Sequence, residues 1–259
     1  MKPRSVLILG SSNINYSRDG TPLDRLLEAR LNASGGVWSV TAEIVGQGRS
    51  MARTMAVLAE QRQPDALVVA LAASAFTYEF VVNRIRRRWP VVYRPALAFS
   101  QALKWVAGGD ADERTTSRSL IYRIPEAIAL RVIGGETSIA VEHAIENTTL
   151  ALEALSRLER TPLVVRLPVG GMRATGARAA SYEARLSRFR AAVSQVCRAR
   201  LIPVVDVAAE LRSAGKSRGH GFDGIHLDHE TRSFEAELLA RAILAAVPAD
   251  TAFPAARLS

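Results

Sequence analysis

The amino-acid sequence predicts a doubly wound α/β domain built on a five-stranded parallel sheet, and three observations carry that expectation. Short apolar runs recur along the chain with helix-length stretches between them, the pattern of strands that need a helical crossover to return in parallel. One of these runs, residues 66–71, contains no polar residue, as a strand buried on both faces requires. Bulk composition agrees: 48% apolar and 23% charged residues in a chain of 259 suit one large domain with a substantial core.

Residues 5–10 form the first predicted strand. Thr21-Pro22 then opens a helix, with Thr21 as N-cap, Pro22 in the first turn and an apolar stripe of Leu23, Leu26, Leu27 and Leu31. Residues 37–45 are the second strand and end at Gly46-Gln47-Gly48. A helix over 50–62 presents Met51, Met55 and Leu58 on one face, and residues 66–71 are the third strand. From Phe76 to about Glu159 no strand pattern occurs, only helical patterns broken by Pro90, Pro95, Gly108-Gly109, Pro125 and Gly134-Gly135. That is far longer than a normal crossover. Residues 76–160 are therefore expected to be a helical insertion between strands three and four, a cap within a single domain of residues 1–259, ending in a long helix near 137–159. The sheet resumes at 163–167, a helix covers 181–200, and 202–207 is the fifth strand. A closing amphipathic helix spans about 228–246, and 248–259 reads as a tail.

Several classes are excluded or disfavoured. A single cysteine, Cys197, rules out an internal disulfide framework and a cysteine-based metal cluster, and its helical setting predicts a buried, inert thiol. The apolar start of the chain is interrupted at Gly10, too early for a signal peptide, and no apolar run approaches the roughly 20 residues of a membrane span. A cytoplasmic protein is expected. The formal charge is +9, and residues 80–134 carry ten Lys/Arg against four Asp/Glu. Such concentration suggests attraction to an anionic partner, such as an acidic small molecule, a carrier-linked substrate or coenzyme A phosphates, or else an arginine-rich solvated helix face. Nucleic-acid binding through Arg84-Ile85-Arg86-Arg87-Arg88-Trp89 is the less favoured reading of the same run.

If the strands run in the flavodoxin-like order 2-1-3-4-5, the ligand crevice lies between strands one and three, at their carboxyl ends. Small polar residues occupy both lips: Gly10-Ser11-Ser12-Asn13 on one side and Ala72-Ala73-Ser74 on the other, with Gly46-Gln47-Gly48 beside them. A serine hydroxyl needs a base and an orienting group to become a nucleophile. Of four histidines, only His226 has an aspartate three residues before it, in Asp223-Gly224-Ile225-His226; a turn of that length lets the carboxylate reach Nδ1 while Nε2 faces outward, as a base requires. No H-E-x-x-H, Walker A or G-x-G-x-x-G motif is present, so no metal or cofactor is expected.

These residues resemble the SGNH hydrolases, also called GDSL esterases and lipases. Val6-Leu7-Ile8-Leu9-Gly10-Ser11-Ser12 is similar to the first block of that family, Val45-Gly46-Gln47-Gly48-Arg49-Ser50 to the second, and Asp223-Gly224-Ile225-His226-Leu227 to the last. The resemblance implies an SGNH-type fold with Ser12 as nucleophile, His226 as base and Asp223 as orienting acid. The N–H groups of Ser12 and Gly48 would then be oxyanion donors. Ser11 stands where the family has Asp. The third block, Gly-x-Asn-Asp, is replaced by Ala72-Ala73-Ser74-Ala75, so the family's Asn donor is missing, and Ser74 or Asn13 is the expected substitute. The implied activity is an esterase or thioesterase working through an acyl-enzyme, with an acyltransferase or a non-catalytic binding protein of the same fold as alternatives.

Overall fold

A computed structural model describes residues 3–11, 14, 21–95, 132, 135–158, 160–170, 177–216 and 227–247. It contains a five-stranded sheet in the order β2-β1-β3-β4-β5, every pairing parallel. The strands are β1 (Arg4–Gly10), β2 (Trp38–Ile44), β3 (Ala66–Ala70), β4 (Leu163–Arg166) and β5 (Val204–Val205). The helices are α1 (Leu23–Ala33), α2 (Met51–Arg62), α3 (Ser74–Thr77), α4 (Val81–Arg88), α5 (Val141–Leu155), α6 (Ala177–Ala199), α7 (Val207–Ser213) and α8 (His229–Ala246). The predicted fold class and strand order are those observed.

Alternation along β1 explains why the sheet carries helices on both faces. Val6 and Ile8 join the core cluster that includes Leu23, Leu27 and Leu31 of α1 and Leu239 and Ile243 of α8. Leu7 and Leu9, equally buried, point the other way by the two-residue period of a strand, toward the face where α2, α5 and α6 pack on one another. Central β3 is buried at all five positions, whereas edge strand β2 alternates between buried and exposed. The composition of each strand follows from that difference.

Three local expectations are corrected. Helix α1 begins at Leu23, and Pro22 is its N-cap, in extended conformation with no side-chain cap bond; Leu26 N–H reaches the Pro22 carbonyl instead. On α2 the third buried position is Ala59, while Leu58 is half-exposed. The fifth strand shrinks to two residues because Asp206 caps a helix absent from the sequence reading, accepting from Ala209 N–H at 2.9 Å. Cys197 is buried in α6, and desolvation pushes its thiol up to about 11.

The chain divides into two compact units, residues 1–73 with 141–259 and residues 74–140. Helix α5 belongs to the sheet unit and packs on α2 and α6, so the compact second unit is shorter than the span 76–160. Within that second unit Phe80 and Glu136 exchange both backbone hydrogen bonds in an isolated antiparallel bridge. Arg87 and Arg88 of α4 pair with Glu136, and Arg86 lies over the Tyr93 ring. Part of the positive charge in this segment is thus answered internally. No described helix is long and apolar enough to cross a membrane.

Candidate active site

The carboxyl end of β1 is hemmed in on both sides. Gly10 registers with Ile44 of β2 and Ala70 of β3, and its carbonyl accepts from Val45 N–H at 2.6 Å. A Cβ on Gly10 would stand 2.6 Å from the Ala70 carbonyl oxygen, so only glycine lets the three strands close at this point. Beyond it, Ser11 C=O accepts from Ile14 N–H at 3.0 Å, and Ile14 is fully buried. Ser12 and Asn13 lie outside the described residues, as do Asp223 and His226. Their described neighbours are well anchored. Leu227, which follows His226, packs against the same core cluster as Ile14, and Asp228 caps α8 by accepting from Thr231 N–H at 2.9 Å.

The two chain ends are joined directly. Arg232 Nη1, one turn into α8, donates a long hydrogen bond of 3.4 Å to the Ile14 carbonyl, across 218 residues of sequence. Arg232 is 2% exposed, and burial pushes its guanidinium below its ordinary value, opposed by the Glu235 carboxylate on the same helix. Glu235, with no exposed surface, faces Arg166 at the end of β4, Nε to Oε1 2.6 Å. That contact is close but off the N–H axis: neither Glu235 carboxylate oxygen has an aligned hydrogen bond among the described residues. Arg166 Nη1 in turn donates to the Leu71 carbonyl, just past β3, at 2.6 Å. One buried ionic group thereby links the segments following β1 and β3 to β4 and α8. Its signal in the sequence was an arginine closing the apolar run Leu163-Val164-Val165.

After β2 the loop Gly46-Gln47-Gly48 is held by neutral amides. Asn147 Nδ2 of α5 donates to the Gln47 carbonyl at 3.1 Å, and Gln47 Nε2 donates to the Ala72 carbonyl at 2.7 Å. Gly48 does not adopt a positive φ, and a Cβ there would meet nothing within 4 Å. Neither backbone strain nor close packing calls for glycine at this position. Its N–H makes no backbone hydrogen bond among the described residues. Asn147 left no trace in the sequence reading, since nothing local ties a mid-helix Asn to a loop 100 residues earlier.

Ser74 begins α3 and lies in the second unit, where its carbonyl accepts from Tyr78 N–H at 3.3 Å. An open cleft of about 630 Å³, lined by Arg4, Asp65, Arg160 and Thr161 among others, lies at the opposite, amino-terminal edge of the sheet. Ligands of doubly wound sheets bind at the carboxyl edge, and the chemistry-bearing loops are there too.

No protein-family model matches this chain, and no curated protein matches it in sequence. Solved structures do match its fold. A lipase/acylhydrolase from Enterococcus faecalis is similar with a TM-score of 0.58 at 14% identity, over 95% of this chain and 97% of that one. A GDSL-like lipase from Parabacteroides merdae gives 0.57 at 12% identity, over 93% and 96%. The acetylxylan esterase of Geobacillus stearothermophilus gives 0.52 at 11% identity, over 93% and 94%. The chain therefore has the doubly wound fold of the SGNH-type lipases and esterases over nearly its whole length.

Proposed function

We propose that this protein is a serine-nucleophile acyl-ester hydrolase, an esterase or thioesterase, working through Ser12, His226 and Asp223. The observation that carries this reading is the bond from Arg232 to the Ile14 carbonyl. It draws together the helix entered through His226 and the segment that follows Ser12, at the edge of the sheet where such folds do chemistry. Two similar structures support the pairing at the far end of the chain: catalytic variants of the Geobacillus esterase replace a histidine and an aspartate three positions apart, the spacing of Asp223 and His226 here.

In this reading His226 takes the Ser12 proton as Oγ attacks the acyl carbonyl carbon. The resulting oxyanion is met by the N–H groups of Ser12 and Gly48. On collapse, the C–O or C–S bond to the leaving group breaks and His226 returns its proton to that alcohol or thiol. Water, deprotonated by His226, then attacks the acyl-enzyme, and the acid departs as Ser12 regains its proton. Asp223 keeps the imidazole in the required tautomer. A bound alcohol or amine in place of water would make the same site an acyltransferase.

The test is to treat wild type and Ser12→Ala with a fluorophosphonate probe and a panel of p-nitrophenyl esters from acetyl to medium-chain acyl. Labelling and turnover are expected in wild type and should fall at least about 10⁴-fold in Ser12→Ala. A wild type that neither labels nor turns over any ester would overturn the enzyme reading. It would favour a non-catalytic binding protein, the reading that the altered third block prompts.

A further inference from the structure

We infer that the Gln47 side chain is an oxyanion donor, supplying from the loop after β2 the carboxamide that the loop after β3 lacks. This rests on the serine-hydrolase reading above and assigns a catalytic residue within it. The stretch 72–75 contains no amide side chain, which leaves a site of this kind one donor short.

Topology makes the argument. Strand β1 lies between β2 and β3, with Gly10 in register with both Ile44 and Ala70. Gln47 stands three residues past the end of β2, and its Nε2 bonds the carbonyl of Ala72, two residues past the end of β3. A side chain that joins the loops of the two flanking strands has to cross the end of the strand between them. That end is where the chain runs from Gly10 into Ser11 and Ser12. The Gln47 carboxamide therefore bridges the loops on either side of the carboxyl end of β1, from which the chain continues into Ser11.

The chemistry fits that position. A primary carboxamide nitrogen carries two hydrogens. The 2.7 Å bond to Ala72 uses one and fixes the plane of the group, so the second N–H is held in a set direction. The Gln47 side chain makes no other hydrogen bond among the described residues, and Gln47 is only half-buried. Its neighbour completes the arrangement. Asn147 holds the Gln47 carbonyl on one side, and in a trans peptide the Gly48 N–H points to the other. Two donors from adjacent positions, one backbone and one side chain, are thus oriented before any substrate arrives, which is what oxyanion stabilisation demands.

The experiment compares wild type, Gln47→Ala and the volume-conserving Gln47→Met on an oxygen ester and on the corresponding thionoester, whose carbonyl sulfur accepts hydrogen bonds poorly. Thermal melts establish that the variants are folded, and Gln47→Met serves if Gln47→Ala is not. Loss of the donor should lower kcat on the oxygen ester about 10²–10³-fold with little change in KM, and lower it much less on the thionoester. Equal losses on both substrates would mean that Gln47 only holds the loop, and unchanged kcat would mean that it does nothing in the reaction. Either outcome overturns this inference while leaving the Ser12 reading intact. An inactive wild type removes both.

Discussion

Two polar networks meet around the end of β1, and they are built on opposite principles. The segments after β1 and β3 are tied down by charge: Arg232 and Arg166 donate to the Ile14 and Leu71 carbonyls, Glu235 faces Arg166, and all three are at most 3% exposed. The loop after β2 is tied down by neutral amides, Asn147 and Gln47, both half-buried. Burying an ion costs several kcal/mol unless its partners stay in place, whereas a neutral hydrogen bond near water contributes about 1 kcal/mol. The first network is therefore an all-or-none element of stability. The second can be altered with the fold intact, and on the proposed reading it is the one that aims hydrogen-bond donors at the crevice. On that reading, holding the site together and tuning its chemistry fall to different residues.

The comparison is easiest to break from the ionic side. Glu235→Leu removes the buried carboxylate that faces Arg166, and is expected to cost about 3–5 kcal/mol. In a chain of this size that corresponds to a drop of roughly 10 °C in Tm. Chemical denaturation measures it directly, and a loss under about 1 kcal/mol would show that water already reaches the cluster and that the contrast is overstated.

A buried polar group belonging to neither network provides a control. The Cys197 thiol is pushed up to about 11 from an ordinary 9. The unfolded chain then loses its thiol proton first as pH rises, so the folded state binds more protons between those values. Stability should decline from about pH 9 to 11, by roughly 2–3 kcal/mol at most, and be unaffected below pH 8. Comparing the pH dependence of unfolding for wild type and Cys197→Ala isolates this slope; parallel curves above pH 9 would mean that the thiol is accessible.

The smallest effect is the most informative. Asn147→Ala removes one bond to the Gln47 carbonyl and should cost about 1 kcal/mol of stability or less. By loosening the Gly48 peptide it should lower kcat roughly tenfold while KM stays within about threefold. A Tm that falls as far as in Glu235→Leu, or a kcat that does not move, would erase the distinction between the two networks.

The fold was largely legible because the residues that build it act locally. An unbroken apolar run at 66–71 can only be a doubly buried strand in a chain of this composition, and Leu23, Leu27 and Leu31 mark one face of a helix whatever it packs against. Misreadings came where a single residue overrides the pattern. Asp206 converts the end of an apparent strand into a helix start, and Pro22 rather than Thr21 precedes the first turn of α1. Of the site, the glycine that closes the loop after β2 could be picked out from its motif, and a Cβ at Gly48 would meet nothing within 4 Å. The reach of Gln47 was not, because a carboxamide in a loop has no partner until the loop is placed.

By itself the sequence determined the order of the five strands, the parallel sheet and which side chains with chemical potential follow its strands, since periodicity and turn residues depend on neighbours a few positions away. Only the tertiary structure decided that Asn147 holds a carbonyl 100 residues earlier and Arg232 one 218 residues earlier, and that Arg166 meets Glu235 out of water. Such pairings depend on where each crossover sets its helix down on the sheet. That position is the outcome of packing summed over the whole core, and no local pattern encodes it.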